Sequence, residues 1–376
     1  MAANAATALL GGLTPATFLR RHWQKRALLV PQACPGFAGC LTARELFALA
    51  ARDDVESRIV LREQAHWSTL EGPFRKAIFK QLPDKGWTLL VHGVNLHRPT
   101  ADTLLRRFTF IPYARLDDLM VSYAVAGGGV GPHFDSYDVF LLQGDGRRRW
   151  RVSRQRDLSL QRGVPLKILA RFRPTQSWTL GPGDMLYLPP DHAHEGVAVD
   201  TCMTYSIGFR APTTQDLGTA FLDWLRDNIA LEGRYADPDL TATAEPARIG
   251  THMQSEFGTM LAKLRWDQAM IARFVGCYLT DPKPHVVFDR PHRRTSLTAF
   301  TLRAVRRGLH LDPRTQILYD GRHVYVNGAS IAWPRGPGLA LKELANRRRI
   351  AGARLTGTPV LRVLHEWYCD GFIDFD

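Results

Sequence analysis

Two residues in the run GGGVGPHFDSYDVF have the types and spacing to hold a metal ion. His133 and Asp135 are separated by one residue, so in an extended strand both side chains share one face while Phe134 takes the other. A third candidate, His194, stands in GPGDMLYLPPDHAHEGV, 59 positions beyond Asp135, which is room for several strands to lead out and return beside the first. Two histidines and one carboxylate on one side of an ion form the facial triad of non-haem Fe(II) oxygenases, which leaves coordination positions open. A 2-oxo acid can chelate through two of those positions and dioxygen can take the third. Metal and co-substrate then carry the hard step, and the protein supplies geometry and exclusion of side reactions.

The surroundings of His194 sharpen this assignment. Gly183, Pro189 and His194 reproduce the spacing G-x5-P-x4-H of the second metal motif in cupin-type double-stranded β-helices, whereas His192 does not fit the count. A bound 2-oxo diacid also needs a cation for its remote carboxylate, because a desolvated carboxylate requires a matched hydrogen-bond donor. In RRRWRV, two-residue alternation places Arg148 with Trp150 and Val152 on an apolar face, opposite Arg147, Arg149 and Arg151. Arg148 is therefore the inward arginine, and Arg147 and Arg149 read as a solvated charge run. Ser122, in phase with Met120 and Ala124, and Thr204, on the strand after His194, are candidate hydroxyl donors to the co-substrate.

The elements that must position these residues are legible in outline. From about Asp118 to Phe209 the chain breaks into short apolar runs, LMVSYAV, HFDSYDVFLL, RRRWRVS, SWTL, DMLYLP and CMTYSIGF, which read as strands of a closed or double-sheet β fold. AGGGVGP, QGDGR and LGPGD supply the turns between them. Before this lies an α/β elaboration with expected strands at Ile59 to Leu61 and Trp87 to Val91. Thr42 and Glu45 have the spacing of a capping box that opens a helix over ELFALAA. After residue 212 the pattern turns helical, with Leu217, Phe221, Leu222, Leu225 and Ile229 on one stripe and Phe257, Met260, Leu261 and Leu264 on another. Residues 286–376 mix helices with a strand pair, ILYDGRHVYV, turned at Asp320-Gly321. The expected fold is α+β: a cupin-type double-stranded β-helix with its N-terminal α/β elaboration over 1–212, a helical region over 213–285 and a winged-helix-like unit over 286–376.

Composition excludes several classes. At 376 residues, 45% hydrophobic and 23% charged, the chain has a globular make-up rather than that of a disordered, collagenous or rod-like protein. Its longest apolar stretches fall short of the ~20 residues a membrane helix requires, and the N-terminus lacks a secretory pattern, so a cytoplasmic protein without membrane contact is expected. Five scattered cysteines, Cys34, Cys40, Cys202, Cys277 and Cys369, suggest neither a disulfide framework nor a zinc ribbon. The net charge of +13 points toward polyanionic surroundings. The last unit holds 15 Lys+Arg against 8 Asp+Glu, so contact with nucleic acid is a candidate property. One alternative on these features is a ligand-sensing cupin with a winged-helix tail, acting as a transcription regulator.

RLDDLMVSYAVAGGGVGPHFDSYDVFLLQGDGRRRWRV, followed by LYLPPDHAHEG and YSIGFRAP, resembles the JmjC-type bacterial ribosomal oxygenases, arginine hydroxylases of large-subunit ribosomal protein L-sixteen. FLRRHWQKRALLV and RYADPDL extend the similarity over most of the chain. The resemblance implies Fe(II) at His133, Asp135 and His194, 2-oxoglutarate on Arg148 with Ser122 nearby, and dioxygen as the other co-substrate. It also implies a JmjC jelly roll as the catalytic domain over 1–212, a helical dimerisation region over 213–285 that makes a homodimer, a winged-helix tail over 286–376 and β-hydroxylation of one arginine in a large-subunit ribosomal protein. Thr204 stands where close relatives are expected to have asparagine. For such a substrate Asp118, in phase with Met120 and Ser122, is a candidate acceptor for the guanidinium, and Tyr137 a candidate for packing against its stem. These three, Asp118, Met120 and Tyr137, form the expected substrate-binding set. A sibling oxygenase that modifies histidine in another ribosomal protein is the second alternative.

Overall fold

The structure is a computed structural model that describes residues 5–64, 66–293, 295–333 and 338–376. The N-terminal elaboration comprises α1 (Pro15–Arg21), β1 (Leu28–Val30), α2 (Ala43–Leu49), β2 (Ser57–Glu63), β3 (His66–Glu71), β4 (Trp87–Val91), α3 (Val94–His97) and α4 (Pro99–Arg106). The β region follows as β5 (Leu116–Ala124), β6 (Val139–Asp145), β7 (Arg148–Ser153), β8 (Gln176–Leu180), β9 (Met185–Leu188), β10 (Ala193–Ala198) and β11 (Cys202–Phe209). Helices α5 (Thr214–Asn228), α6 (Thr251–Leu261) and α7 (Gln268–Thr280) come next. The C-terminal unit contains α8 (Leu297–Arg307), β12 (Leu309–Leu311), β13 (Ile317–Tyr319), β14 (His323–Val326) and β15 (Ala329–Ala332). It ends with α9 (Leu339–Arg347), β16 (Arg349–Ile350), α10 (Leu361–Cys369) and β17 (Ile373–Phe375).

Two antiparallel sheets face each other as a cupin jelly roll. The larger has eight strands in the order β1-β9-β6-β11-β5-β4-β2-β3, and the smaller has three in the order β10-β7-β8. The N-terminal strands thus extend the barrel's main sheet at both edges: β1 pairs with β9, and β4 pairs with β5. The capping box on α2 forms as the spacing indicates, with Thr42 Oγ1 accepting from Glu45 N and the Glu45 carboxylate accepting from Thr42 N. A cap of this kind is worth about 1 kcal/mol.

Alternation along the strands decides what lines the interior. On β5, Leu119 and Val121 enter the main apolar core, leaving Asp118, Met120 and Ser122 for the cavity between the sheets. On β11, Met203, Tyr205 and Ile207 enter that core, whereas Thr204, Ser206 and Gly208 face the cavity. β7 obeys the same rule, burying Arg148, Trp150 and Val152 and turning Arg149 outward. Each large apolar side chain so buried contributes ~1.5–3 kcal/mol, which fixes register and hence the face the polar residues must take.

One local expectation needs correction. HFDSYDVFLL is not a continuous strand: β6 begins only at Val139, and Asp135 and Tyr137 lie in the loop before it. His133 makes a single isolated bridge to His194, with N–H···O distances of 2.9 and 2.8 Å. The cause is the approach to it, since Gly131 has φ +79° and Pro132 offers no amide. A Cβ on Gly131 would come within 3.1 Å of Ile168 Cδ1 and Trp67 Cζ2, so glycine is required there on two grounds.

Beyond the barrel, α7 packs on the β13-β14-β15 sheet, with Gly276 giving way to the Tyr325 ring. A second apolar core, built around Phe300, Leu341, Leu344 and Leu364, holds the C-terminal unit together. Among the described residues no helix is long and apolar enough to cross a membrane.

Candidate metal and co-substrate site

The expected triad converges. One ligand atom each from His133, Asp135 and His194 can be chosen so that all three lie within 4.8 Å of one another, and His194 Nε2 is 3.6 Å from Asp135 Oδ2. His133 arrives on the glycine-rich loop and His194 on β10, and the backbone bridge between them brings their ring centroids to 4.2 Å. Each ring is oriented by a carbonyl. His133 Nδ1 lies 2.9 Å from Gly131 O, and His194 Nδ1 lies 2.8 Å from His192 O. A carbonyl can only accept, so each Nδ1 carries the hydrogen and each Nε2 keeps its lone pair for a metal. Burial, reinforced by the neighbouring His133 and opposed by Asp135, pushes the His194 pKa down to about 4. Its imidazole is therefore neutral at pH 7, the form that ligates. Two imidazole nitrogens and one carboxylate oxygen on one side fit Fe(II) with open positions.

These three residues line one cavity of about 320 Å³ that lies between the sheets. Arg148 projects into it and is only 4% exposed, yet its Nε and Nη2 have no hydrogen-bond partner. Its Cζ lies 5.8 Å from the Trp150 ring centroid, a cation–π contact that does not satisfy the N–H donors. A buried guanidinium without a carboxylate is costly, and the donors it leaves open match the two oxygens of a carboxylate. The same cavity is lined by Val139, Leu141 and Trp150, which make its inner wall apolar.

The other expected residues also reach the cavity. Ser122 and Thr204 sit opposite each other in the β5–β11 ladder. The Thr204 hydroxyl donates to Gln143 Oε1 at 2.9 Å, a partner the sequence reading did not offer. Met120 lines the wall, and Tyr137 stands toward the surface, 39% exposed. Asp118 is buried and accepts from Gly93 N at 2.9 Å. His92 Nδ1 is 3.5 Å and Lys283 Nζ 4.0 Å from the same carboxylate oxygen. Burial would raise the Asp118 carboxyl, but His92, Lys283 and the Gly93 amide prevail and hold it at about 2. The His92 imidazole moves the opposite way: burial lowers it, and Asp118 more than compensates. Asp118 is thus a charged acceptor.

His92 and Lys283 were missed by sequence reasoning. His92 is two residues beyond Leu90, which also lines the cavity, but it meets Asp118 only through the pairing of β4 with β5, which the local sequence does not mark. Lys283 comes from the DPKP segment after α7 and offers no local signal; it also lies 3.3 Å from Asp117 Oδ1.

Comparison with known proteins agrees with this geometry. A JmjC domain model matches residues 103–217, and a ROXA-like winged-helix model matches residues 263–374. The chain is 36% identical over 328 residues to the ribosomal protein uL16 3-hydroxylase of Escherichia coli (strain K12), covering 86% of each. It is also similar to the crystal structure of E. coli YcfD, with a TM-score of 0.84 and 32% identity over 97% of this chain and 98% of that one. YcfD described as a ribosomal oxygenase in complex with cobalt and 2-oxoglutarate aligns with a TM-score of 0.81, 32% identity and the same coverage of 97% and 98%.

Proposed function

The chain belongs to the JmjC-type ribosomal oxygenases, and from this we propose that it is an Fe(II)- and 2-oxoglutarate-dependent protein hydroxylase acting on an arginine of large-subunit ribosomal protein uL16. The product would carry one hydroxyl group on the β carbon of that arginine. The observation that carries the reading is the convergence of His133, Asp135 and His194 in one cavity with a buried Arg148 that lacks a partner.

When bound, Fe(II) and 2-oxoglutarate supply the oxidising power: dioxygen is split as the co-substrate is decarboxylated to succinate, one oxygen going to succinate and the other into the substrate C–H bond. The protein's own residues do the rest. His133 and His194, their protons held on Gly131 O and His192 O, present Nε2 to the metal beside the Asp135 carboxylate. Arg148 grips the remote carboxylate of 2-oxoglutarate, with the Ser122 and Thr204 hydroxyls on the adjoining wall. Val139, Leu141 and Trp150 keep that end dry, which strengthens each charge-assisted bond inside it. At the other end Asp118 receives the substrate guanidinium, whose stem passes Met120 and Tyr137. With the co-substrate held at one end of the cavity and the target at the other, the two are positioned before they react.

The test is mass spectrometry of uL16 after incubation with the protein, Fe(II), 2-oxoglutarate and oxygen. The reading expects the mass of one oxygen atom added on an arginine. Oxygen found on a histidine of another ribosomal protein, with uL16 unmodified, would replace this substrate with the histidine-directed alternative.

The finer organisation follows the same reading: a catalytic unit over 1–212, a dimerisation unit over 213–285 and a winged-helix-like unit over 286–376, working in the cytoplasm as a homodimer. Support for the dimer comes from α5 to α7, where Leu222 is 64%, Leu261 65% and Trp266 50% exposed and α6 buries no residue in its own chain. Apolar stripes of that extent call for a partner surface. The chain's positive charge supports contact with nucleic acid.

A further inference from the structure

Positive charge on the barrel is concentrated in one place. Residues 147–173 contain 10 Lys+Arg and a single acid, Asp157. Arg148 belongs to the cavity, Arg147 pairs with Asp200, and Arg151 pairs with Glu195. The remaining seven, Arg149, Arg154, Arg156, Arg162, Lys167, Arg171 and Arg173, are all exposed. Among the described residues none of the seven has a carboxylate within 4.0 Å. Asp157 is engaged locally, accepting from the Ser159 hydroxyl at 2.6 Å and its amide at 3.1 Å.

These cations sit on a framed surface. The Gln155 amide group donates to Asp157 O at 2.6 Å and Arg171 O at 2.8 Å, and it accepts from Arg173 N at 2.9 Å. One side chain thereby ties the two ends of the segment together. Leu160 and Leu169 bridge across it, and Ile168 and Leu169 are each 3% exposed. Leu169 N donates to Pro132 O at 2.8 Å, which joins the segment to the loop that carries His133. Leu166 and Lys167 then line the catalytic cavity itself. The basic surface therefore begins at the rim of the site.

Such a rim opposes a free cationic target. The proposed function sends an arginine into a cavity whose rim carries Lys167 and adjoins a segment of uncompensated cations, and exposed like charges repel within a Debye length of ~10 Å at 0.1 M salt. Arginine-rich, carboxylate-free surfaces are matched by rows of phosphates, which guanidinium groups grip in bidentate fashion. A ribosomal protein is a substrate that occurs beside such rows. Resting on that reading, we propose that the 149–173 surface is an RNA-backbone docking site, which holds RNA next to the cavity while the target arginine is presented.

The test is binding of a fluorescently labelled RNA hairpin to the full chain as salt is varied, alongside hydroxylation of a free uL16 peptide. Substituting Arg154→Gln, Arg156→Gln, Arg171→Gln and Arg173→Gln together removes four cations outside the cavity. Each lost phosphate contact lowers the slope of log affinity against log salt by ~0.7 for single-stranded and ~0.9 for duplex segments. The variant should therefore lose about three units of slope and bind RNA ~10³-fold more weakly at 0.1 M salt, while turnover of the free peptide does not fall. A matched variant with Arg293, Arg306, Arg322 and Arg362 each changed to Gln, in the C-terminal unit, should bind as wild type does. Three results would overturn the proposal: wild-type protein that leaves the hairpin unbound at low salt, an RNA affinity lost only in the C-terminal variant, or tighter binding to phosphatidylglycerol vesicles than to RNA. RNA binding is read without hydroxylation, so a missing peptide product would instead count against the proposed function alone.

Discussion

Replacing Arg148 by methionine should have opposite effects on the ligand-free and ligand-bound protein. Without 2-oxoglutarate, the guanidinium is a buried cation whose Nε and Nη2 meet no acceptor. An unsatisfied buried polar group costs about 1–3 kcal/mol, and a thioether of similar length fills the same apolar wall without that cost. At about 2–4 °C per kcal/mol for a unit of this size, Arg148→Met should melt several degrees above wild type. With 2-oxoglutarate the sign reverses. A buried carboxylate deprived of its charged partner loses about 3–5 kcal/mol, or two to four powers of ten in Kd. The assay is thermal melting with Mn(II) in place of iron, with and without 2-oxoglutarate. Wild type at a hundredfold excess over Kd should gain about 2.7 kcal/mol from the ligand, and Arg148→Met should gain no more than about 0.4 kcal/mol at the same concentration. A variant that keeps the full ligand-induced shift would refute the role given to Arg148.

Three further outcomes are expected. Asp118→Ala should abolish most turnover of the substrate peptide while sparing uncoupled 2-oxoglutarate decay; equal losses in both would remove Asp118 from substrate recognition. Gly131→Ala must adopt φ +79° against Ile168 and Trp67, at a cost of about 1–3 kcal/mol. It should lower Mn(II) affinity measured by calorimetry, because the loop carrying His133 moves, and unchanged affinity would contradict that coupling. Leu222→Glu with Leu261→Glu places charges on exposed apolar positions of α5 and α6, so light scattering should find a monomer where wild type is a dimer. A mutant that stays dimeric would move the interface elsewhere.

Much of the site was legible because strand alternation is a strong local rule. Arg148, Ser122, Met120 and Thr204 were placed by counting in twos from apolar neighbours, and the buried cores on the other face of each strand enforce that count. His194 was legible from its spacing to Gly183 and Pro189. The same rule misread residues 133–138, where Gly131 and Pro132 break the strand; His133 still faces the cavity because a bridge to His194 substitutes for a ladder. What stayed hidden rests on long-range pairing. The addition of β4 to β5 brings His92 beside Asp118, and the segment after α7 brings Lys283 to the same carboxylate, and neither junction leaves a mark in the nearby sequence. The Thr204 to Gln143 bond likewise depends on the β6–β11 register.

The most direct measurement of the central claim is an anaerobic titration of Fe(II) into the protein with 2-oxoglutarate present, followed by the visible charge-transfer absorption of a metal-chelated 2-oxo acid. The account predicts a band that saturates at one metal per chain and is lost in His133→Ala and His194→Ala. Wild-type protein that develops no band, or a band that survives both substitutions, would contradict it.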